Sequence, residues 1–222
     1  MHRYLFGPVT AAFAGQNLFQ QQQSGACLAF DANGSADLEI RQADTWESLL
    51  SRLPAGWSPG SVVLYLPYTK IPDCLWSAPV PIVGLAADWN LCFSHYGHCL
   101  PKCDLVLSDA VGVEVMKRAG MTHVRQANLF GLERNAFLAE HTENAERDID
   151  VLFCGNLHPA AQGERLPWLE RVARLGERWN VQIHSGVFGE AYWKLMRRAR
   201  IVFNPTSAVE TIVGLFVAYL SS

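Results

Sequence analysis

Ser61–Leu66 (SVVLYL), Pro81–Ala87 (PIVGLAA) and Asp104–Ser108 (DLVLS) are three apolar runs that follow one another along the chain. Each is nearly continuous in its apolar character rather than alternating, the pattern of a strand covered on both faces. After the third run, Asp109 stands as a cap for the helical pattern Val111–Ala119. Apolar strand, short loop, helical pattern: a series of this kind favours a parallel sheet with helices on both faces. Right-handed crossovers then carry the carboxyl ends of the strands to one edge, where open α/β sheets meet their ligands.

Working outward from this stretch, Arg3–Phe6 reads as a first strand, followed by the turn Gly7–Pro8–Val9–Thr10 and a helix over Ala11–Gln22. Cys27–Asp31 reads as a strand and Leu38–Arg41 as a short one. Thr45 is the expected N-cap of Trp46–Leu53, with Ser48 a weak partner for a full capping box. Val124–Ala127 closes this half. Residues 139–149 (AEHTENAERDI) are the most polar interval, and the α/β pattern restarts at Asp150–Cys154 (DVLFC). The expected boundary lies near 146, giving domains 1–146 and 147–222. The second half reads as helix Pro167–Glu177, strand Val181–His184, helix Gly189–Arg198, strand Ile201–Asn204 and an apolar segment, Val209–Leu220. Two serines follow that segment. A buried helix needs neighbours, so an incomplete domain, or a protein partner or second copy of the chain covering it, is expected.

Composition narrows the class. With 222 residues, of which 50% are hydrophobic and 18% charged, the chain is a folded one, long enough to bury about 70% of its extended surface. Eighteen basic and twenty-one acidic side chains give a net charge of −3. This argues against a broad nucleic-acid footprint and leaves room for a local anion site. Arg3, Arg41, Arg52 and Lys70 are the only cations before residue 101, and the other fourteen follow. Two halves with different duties are expected. No run of eighteen apolar residues indicates a membrane span, and the glycine-broken N-terminus does not read as a signal peptide. Six cysteines in a chain of this length read as free thiols of a reducing cytoplasm.

Candidate site residues cluster at the expected strand ends. Gly7–Thr10, with Gly15 beyond, is either a tight turn or a ligand-lining loop; it matches neither a dinucleotide fingerprint nor a Walker loop. Asp88 follows PIVGLAA, where a carboxylate can take a proton from a substrate hydroxyl or cap the next helix. Cys92, His95, His98, Cys99 and Cys103 are chemically suited to zinc but lack paired C-x-x-C spacing, so no metal is assigned. Gly155 and Asn156 follow DVLFC, and Arg165 opens the next helix; together these suit a diphosphate, or a glycine turn beside a solvent-facing arginine. Gly186, Phe188 and Tyr192 suit a nucleobase edge and face, or ordinary packing. Arg197, Arg198 and Arg200 read as a basic helix end. Glu210, after Asn204–Ser207, suits ribose or sugar hydroxyls, or a polar cap. No Ser–His–acid triad or G-x-S-x-G elbow appears.

The layout DIDVLFCGNLHP…RLPWLERVARL…VQIHSGVFGEAYWKLMRRARIVFN resembles the second domain of glycosyltransferases of the GT-B architecture, with its two Rossmann-like domains. The nearest group is that of the spore-maturation proteins and family-1-like glycosyltransferases. PIVGLAADWNLCFSHY and CDLVLSDAVGVEVMKRAG are similar to its first domain. The resemblance implies a nucleotide-diphosphate sugar as donor, held by the second domain, and a small-molecule or glycan acceptor entering from the first. It places Gly155, Asn156 and Arg165 on the donor phosphates, Gly186 and Phe188 on the base, and Glu210 at the first acidic position of the donor-binding motif. No bound cofactor or metal is implied. Asp88 is the expected base. The family's Arg-x-Phe-Glu-like helix is matched here only by GLFVAYLSS, with Gly214 and Val217 at the charged positions, so an incomplete second domain is expected. A non-catalytic binding or interaction module and a sugar-nucleotide epimerase are the alternatives.

Overall fold

The computed structural model describes residues 2–9, 24–129, 146–157 and 165–205. The chain falls into two compact units, Met1–Arg134 and Asn135–Ser222. The segments 11–22 and 209–220, together with Thr10, Gly15 and Glu210, lie outside the described residues.

The first unit is built on seven strands: β1 (Tyr4–Gly7), β2 (Cys27–Asp31), β3 (Leu38–Glu39), β4 (Ser61–Tyr65), β5 (Ile82–Leu85), β6 (Leu105–Ser108) and β7 (Val124–Gln126). They form one sheet in the order β3-β2-β1-β4-β5-β6-β7. Every pairing is parallel. The order reverses between β1 and β4, the switch point at which open α/β sheets open a crevice at their carboxyl edge. Four α-helices follow strands β3 to β6 in turn: α1 (Trp46–Leu50), α2 (Asp73–Trp76), α3 (Trp89–Cys99) and α4 (Ala110–Arg118). All four crossovers run the same way along the sheet, so right-handedness places them on one face. The apolar runs behave accordingly. Leu5, Val62, Leu64, Ile82, Val106 and Val124 form one buried layer with Leu49, Leu75, Tyr96 and Met116 from the helices. Their neighbours Phe6, Cys27 and Ala29, with Val63 and Leu85, pack as a second layer.

Local chemistry sets the helix starts. Thr45 caps α1 by accepting from Ser48 N, and Ser48 Oγ accepts from Thr45 N at 3.1 Å, so the capping box is complete. This corrects the expectation for Ser48: at N3 a short hydroxyl reaches back as a glutamate would. Asp109 caps α4 through Gly112 N at 2.7 Å, and its other oxygen accepts from Trp89 Nε1 at 3.0 Å. The strands are shorter than their apolar runs, because a residue such as Ala87 remains buried after the ladder has ended.

The second unit holds a three-stranded parallel sheet of β8 (Ile149–Cys154), β9 (Val181–His184) and β10 (Ala199–Val202), in the order β10-β8-β9. The helices α5 (Leu166–Arg174), prolonged by a 3-10 turn over Leu175–Glu177, and α6 (Gly189–Arg198) join them. The two crossovers run in opposite directions from β8, so right-handedness places α5 and α6 on opposite faces. Ile149, Leu152 and Ala199 are the buried centre. The last strand begins two residues before the expected Ile201. Ala199 is buried and pairs with Ile149 directly after α6, while Arg200 beside it is exposed and breaks the apolar run. Taken together, the chain is an α/β protein with two parallel sheets of Rossmann-like kind. Among the described residues, no helix is long and apolar enough to cross a membrane.

Gly112 shows how tightly the first unit is packed at its carboxyl edge. A Cβ there would collide with the Ser108 hydroxyl and lie 2.6 Å from Trp89 Cδ1. Ser108 is fully buried and donates to the Ala86 carbonyl at 2.9 Å, so it cannot yield. Gly112→Ala gains at most about 1 kcal/mol of helix propensity, against about 1–3 kcal/mol for overpacking. The expected result is a thermal midpoint lowered by several degrees, measured by circular dichroism.

Candidate functional site

Three aspartates stand at the carboxyl edge of the first sheet, at the ends of β2, β5 and β6, and the backbone gives each a different fate. Asp31 is buried, with 3% of its surface exposed. Its carboxylate accepts from Asn33 N at 3.0 Å, Gly34 N at 2.7 Å and Ser35 N at 3.0 Å, and also from the Ser35 hydroxyl. An acidic side chain here is where a dinucleotide-binding sheet would hold a ribose; this one is committed to its own loop. Asp109 is committed to capping. Asp88 is the N-cap residue of α3 by position, but its backbone is left-handed (φ 49°, ψ 35°) and its side chain makes no capping bond.

Asp88 has a counterpart that the sequence reading did not single out. The ladder between β4 and β5 pairs residues twenty apart, from Val62↔Ile82 to Tyr65↔Leu85, and Leu66 N continues it to the Leu85 carbonyl at 3.2 Å. Three residues past each strand end stand Tyr68 and Asp88, both left-handed, Tyr68 with φ 56°. Tyr68 is 68% exposed. Burial of its hydroxyl, then the charge of Asp88, raises its pKa. The same two causes push Tyr65 up to about 12; Tyr96, whose hydroxyl donates to the Ala87 carbonyl, is raised by burial, then by Cys92 and Tyr65, with Asp88 a lesser cause. Asp88 thus lies among three neutral phenols. Setting SVVLYLPY over PIVGLAAD aligns Tyr68 with Asp88, a signal present in the sequence. At the ends of β5, β6 and β7, Ala87, Asp109, Ala110 and Gln126 to Leu129 line a pocket of about 230 Å³.

The remaining candidates in this unit resolve as structural groups. Gly7 is fixed by the approach of β2: a Cβ would run into the Phe30 carbonyl and lie 2.9 Å from Phe30 Cδ1. Val9 N donates to that same carbonyl at 2.8 Å. On α3, Cys92 and Cys99 are buried, His98 is exposed, and Cys99 Sγ lies 3.6 Å from His95 Nε2. Among the described residues no group of His, Cys, Asp or Glu converges as a metal site. All six cysteines are free thiols, and burial pushes Cys103 up to about 12.

In the second unit the sequence-chosen residues gather on the carboxyl edge of the sheet. Gly155 and Asn156 follow β8, Gly186 and Phe188 follow β9, and Arg165 opens α5. Arg165 ties two strand ends together: Nη1 donates to the Asn156 carbonyl at 3.3 Å and Nε to the Pro205 carbonyl, beyond β10, at 3.1 Å. A cation is thereby seated over the β8/β10 junction. Gly155 N donates to the His184 carbonyl at 3.0 Å, so that N–H serves the sheet rather than a ligand. A Cβ at Gly155 would lie 3.0 Å from Phe153 Cζ and 3.6 Å from Arg165 Nη1; the glycine makes room for both. Gly186 has φ +72° and open space around it, and Phe188 is 64% exposed. Tyr192 is half-buried, its pKa raised by burial and then by Cys154, and it packs edge-on to Trp193. Arg198 and Arg200 work at the opposite edge: Arg198 pairs with Asp148 in bidentate fashion, and Arg200 Nε donates to the Arg147 carbonyl at 3.0 Å.

The Asp31 turn yields a prediction with a defined sign. Burial raises its carboxyl, but the Ser35 hydroxyl and the three backbone N–H groups outweigh this, and the net pKa lies below the ordinary aspartate value. A depressed folded pKa stabilises the fold at pH values above the unfolded one, and the gain is lost as pH falls through the folded value. Asp31→Asn is expected to cost on the order of 2 kcal/mol at neutral pH, with the difference from wild type shrinking below about pH 4; denaturant unfolding between pH 3 and 7 measures it. Comparison with protein-family models, with curated proteins and with solved structures finds no match to this chain.

Proposed function

We propose that the chain is a glycosyltransferase of GT-B type, which moves a sugar from a nucleotide-diphosphate donor to an acceptor hydroxyl. The observation that carries this reading is Arg165, pinned by carbonyls of two strand-end loops at the carboxyl edge of the second sheet. A guanidinium held in that way is a fixed positive charge with planar donors, the chemistry that suits a diphosphate. The N-terminus of α5 lies directly behind it, and its dipole adds in the same sense. Gly186 lets the chain turn beside the exposed Phe188 ring, an arrangement that suits a nucleobase. Glu210 joins the donor site by family resemblance alone.

In this reading the sugar's bond to the diphosphate breaks with its electron pair passing to the leaving phosphate oxygen. Arg165 and the helix dipole stabilise the developing charge without reorganising. The acceptor hydroxyl bonds to the sugar carbon as its proton passes to a base, the role that family resemblance alone gives to Asp88, an exposed acid left out of helix capping. Asn156 supports the reading through its carbonyl, which holds Arg165; Gly155 supports it sterically.

Isothermal titration of the folded 222-residue chain with UDP, GDP and ADP tests the donor site. Saturable binding of at least one is expected, weakened at least tenfold by Arg165→Ala and partly kept by Arg165→Lys. Asp88→Asn is expected to retain nucleotide binding and to lose transfer by about 10²-fold or more. A folded chain that binds none of the three nucleotides overturns the proposal. Binding without transfer or donor hydrolysis marks a binding module instead.

A further inference from the structure

We propose that Asn33–Gly34, in the turn between β2 and β3, is a latent site of succinimide formation, and that the Asp31 carboxylate holds it closed by retaining the Gly34 N–H. Asp31 thus guards the covalent chain, whether or not the protein transfers sugars.

An asparagine side chain is most open to attack by the next peptide nitrogen when glycine follows, because no Cβ crowds the approach. Asn33–Gly34 is the sole Asn-Gly pair of the sequence. In the reaction the Gly34 nitrogen gives its proton to hydroxide and bonds to Asn33 Cγ. The Cγ–Nδ2 bond breaks, and the amide leaves as ammonia, taking a proton from water. Water then opens the succinimide ring at either carbonyl, which leaves aspartate or isoaspartate at position 33. Both reacting residues are exposed. Among the described residues the Asn33 side chain has no hydrogen-bond partner to restrain it.

The nucleophile is the atom that the fold withholds. Gly34 N donates to Asp31 Oδ1 at 2.7 Å, the shortest of the main-chain bonds to this carboxylate, with Asn33 N and Ser35 N at 3.0 Å. A hydrogen bond to an ionised acceptor is a strong one, and removing this proton would set a second negative charge against the first. The flanking bonds fix the peptides before and after Gly34, so ring closure requires the turn to open. Asp31 is itself held in place. Its side chain is buried and also accepts from the Ser35 hydroxyl, its main chain pairs with Glu39, and its carbonyl accepts from Ile40 N at 2.8 Å. The product would not fit the same cage. Isoaspartate adds a carbon to the main chain and a carboxylate beside Asp31, and Glu39 Oε2 already stands 3.8 Å from where a Cβ at 34 would lie.

The test is peptide mapping by mass spectrometry of the full chain aged in mildly alkaline buffer, which reads the mass gain of an amide turned acid at Asn33. The other asparagines serve as references, and thermal midpoints are measured on the same samples. Wild type is compared folded and in urea, and with the folded variants Asp31→Ala, Asp31→Asn and Gly112→Ala. Folded wild type is expected to convert at least tenfold more slowly than the unfolded chain. Asp31→Ala should raise the folded rate at least tenfold. Asp31→Asn, which keeps an acceptor oxygen without the charge, should raise it by a smaller factor, and decides alone if the alanine variant does not fold. Gly112→Ala loosens the same unit on α4, beyond β6, and is expected to leave the rate at Asn33 as in wild type. The proposal is overturned if wild type converts as fast folded as unfolded, or if the Asp31 variants convert at the wild-type rate. It is overturned equally if Gly112→Ala speeds Asn33, for each degree of midpoint lost, as much as the Asp31 variants do, since the reaction then passes through global unfolding.

Discussion

Parallel strands cannot be joined by tight turns, and this constraint organises both units. Each strand must be followed by a crossover that returns to the edge where the strand began, and the right-handed sense decides which face the crossover covers. Two consequences follow together. The strands become buried on both faces, as Val62 and Leu64 are on one side while Val63 packs on the other. All strand carboxyl ends also emerge at one edge. Asp31, Tyr68, Asp88 and Asp109 meet on one edge of the first sheet, and Gly155, Arg165, Gly186 and Pro205 on one edge of the second. Core and candidate site are thus two expressions of a single topology.

What sequence could convey follows from this. Continuous apolar runs mark strands buried on both faces, and β4, β5 and β6 fall inside the runs SVVLYL, PIVGLAA and DLVLS. Their ends are harder, because burial outlasts the ladder: Ala86 and Ala87 are buried past the end of β5. Where burial and pairing separate, the apolar pattern points to the wrong residue, as it does for β10, which starts at Ala199 in front of the exposed Arg200. The collection of Gly155, Asn156 and Arg165 on one edge was legible, since each lies at a strand end or a helix start. The use made of them was not. Whether Gly155 N faces a ligand or the His184 carbonyl depends on how far β9 extends, and no local pattern encodes that distance.

Arg165 shows how a donor can be committed to the protein and still be oriented. A guanidinium has five N–H donors. Those directed to the carbonyls of Asn156 and Pro205 fix the plane of the group and join two loops that sequence separates by forty-nine residues. A long side chain in solvent would lose considerable rotamer freedom on meeting an anion; one already fixed by main-chain acceptors loses less. The same two bonds make the side chain structural, so its removal acts on the loops as well as on any ligand. Lysine, with a compact ammonium, can satisfy one carbonyl but not reproduce the fork.

The three aspartates of the first sheet carry the argument furthest. Residue type and topological position are nearly the same for Asp88 and Asp109, each ending a parallel strand and preceding a helix. Their difference is one of backbone angle. Asp109 is extended (φ −68°, ψ 172°), which aims its carboxylate back at Gly112 N. Asp88 is left-handed, which takes its carboxylate off the helix axis and places its charge among Tyr65, Tyr68 and Tyr96. A capping aspartate contributes about 1 kcal/mol. At position 88 that contribution is forgone and a left-handed conformation is accepted besides. The neighbouring strand makes the same concession at Tyr68, in register. Tyr68 and Asp88, each three residues past the end of a paired strand, thus share one backbone conformation while their neighbour Asp109 takes the extended one that capping requires.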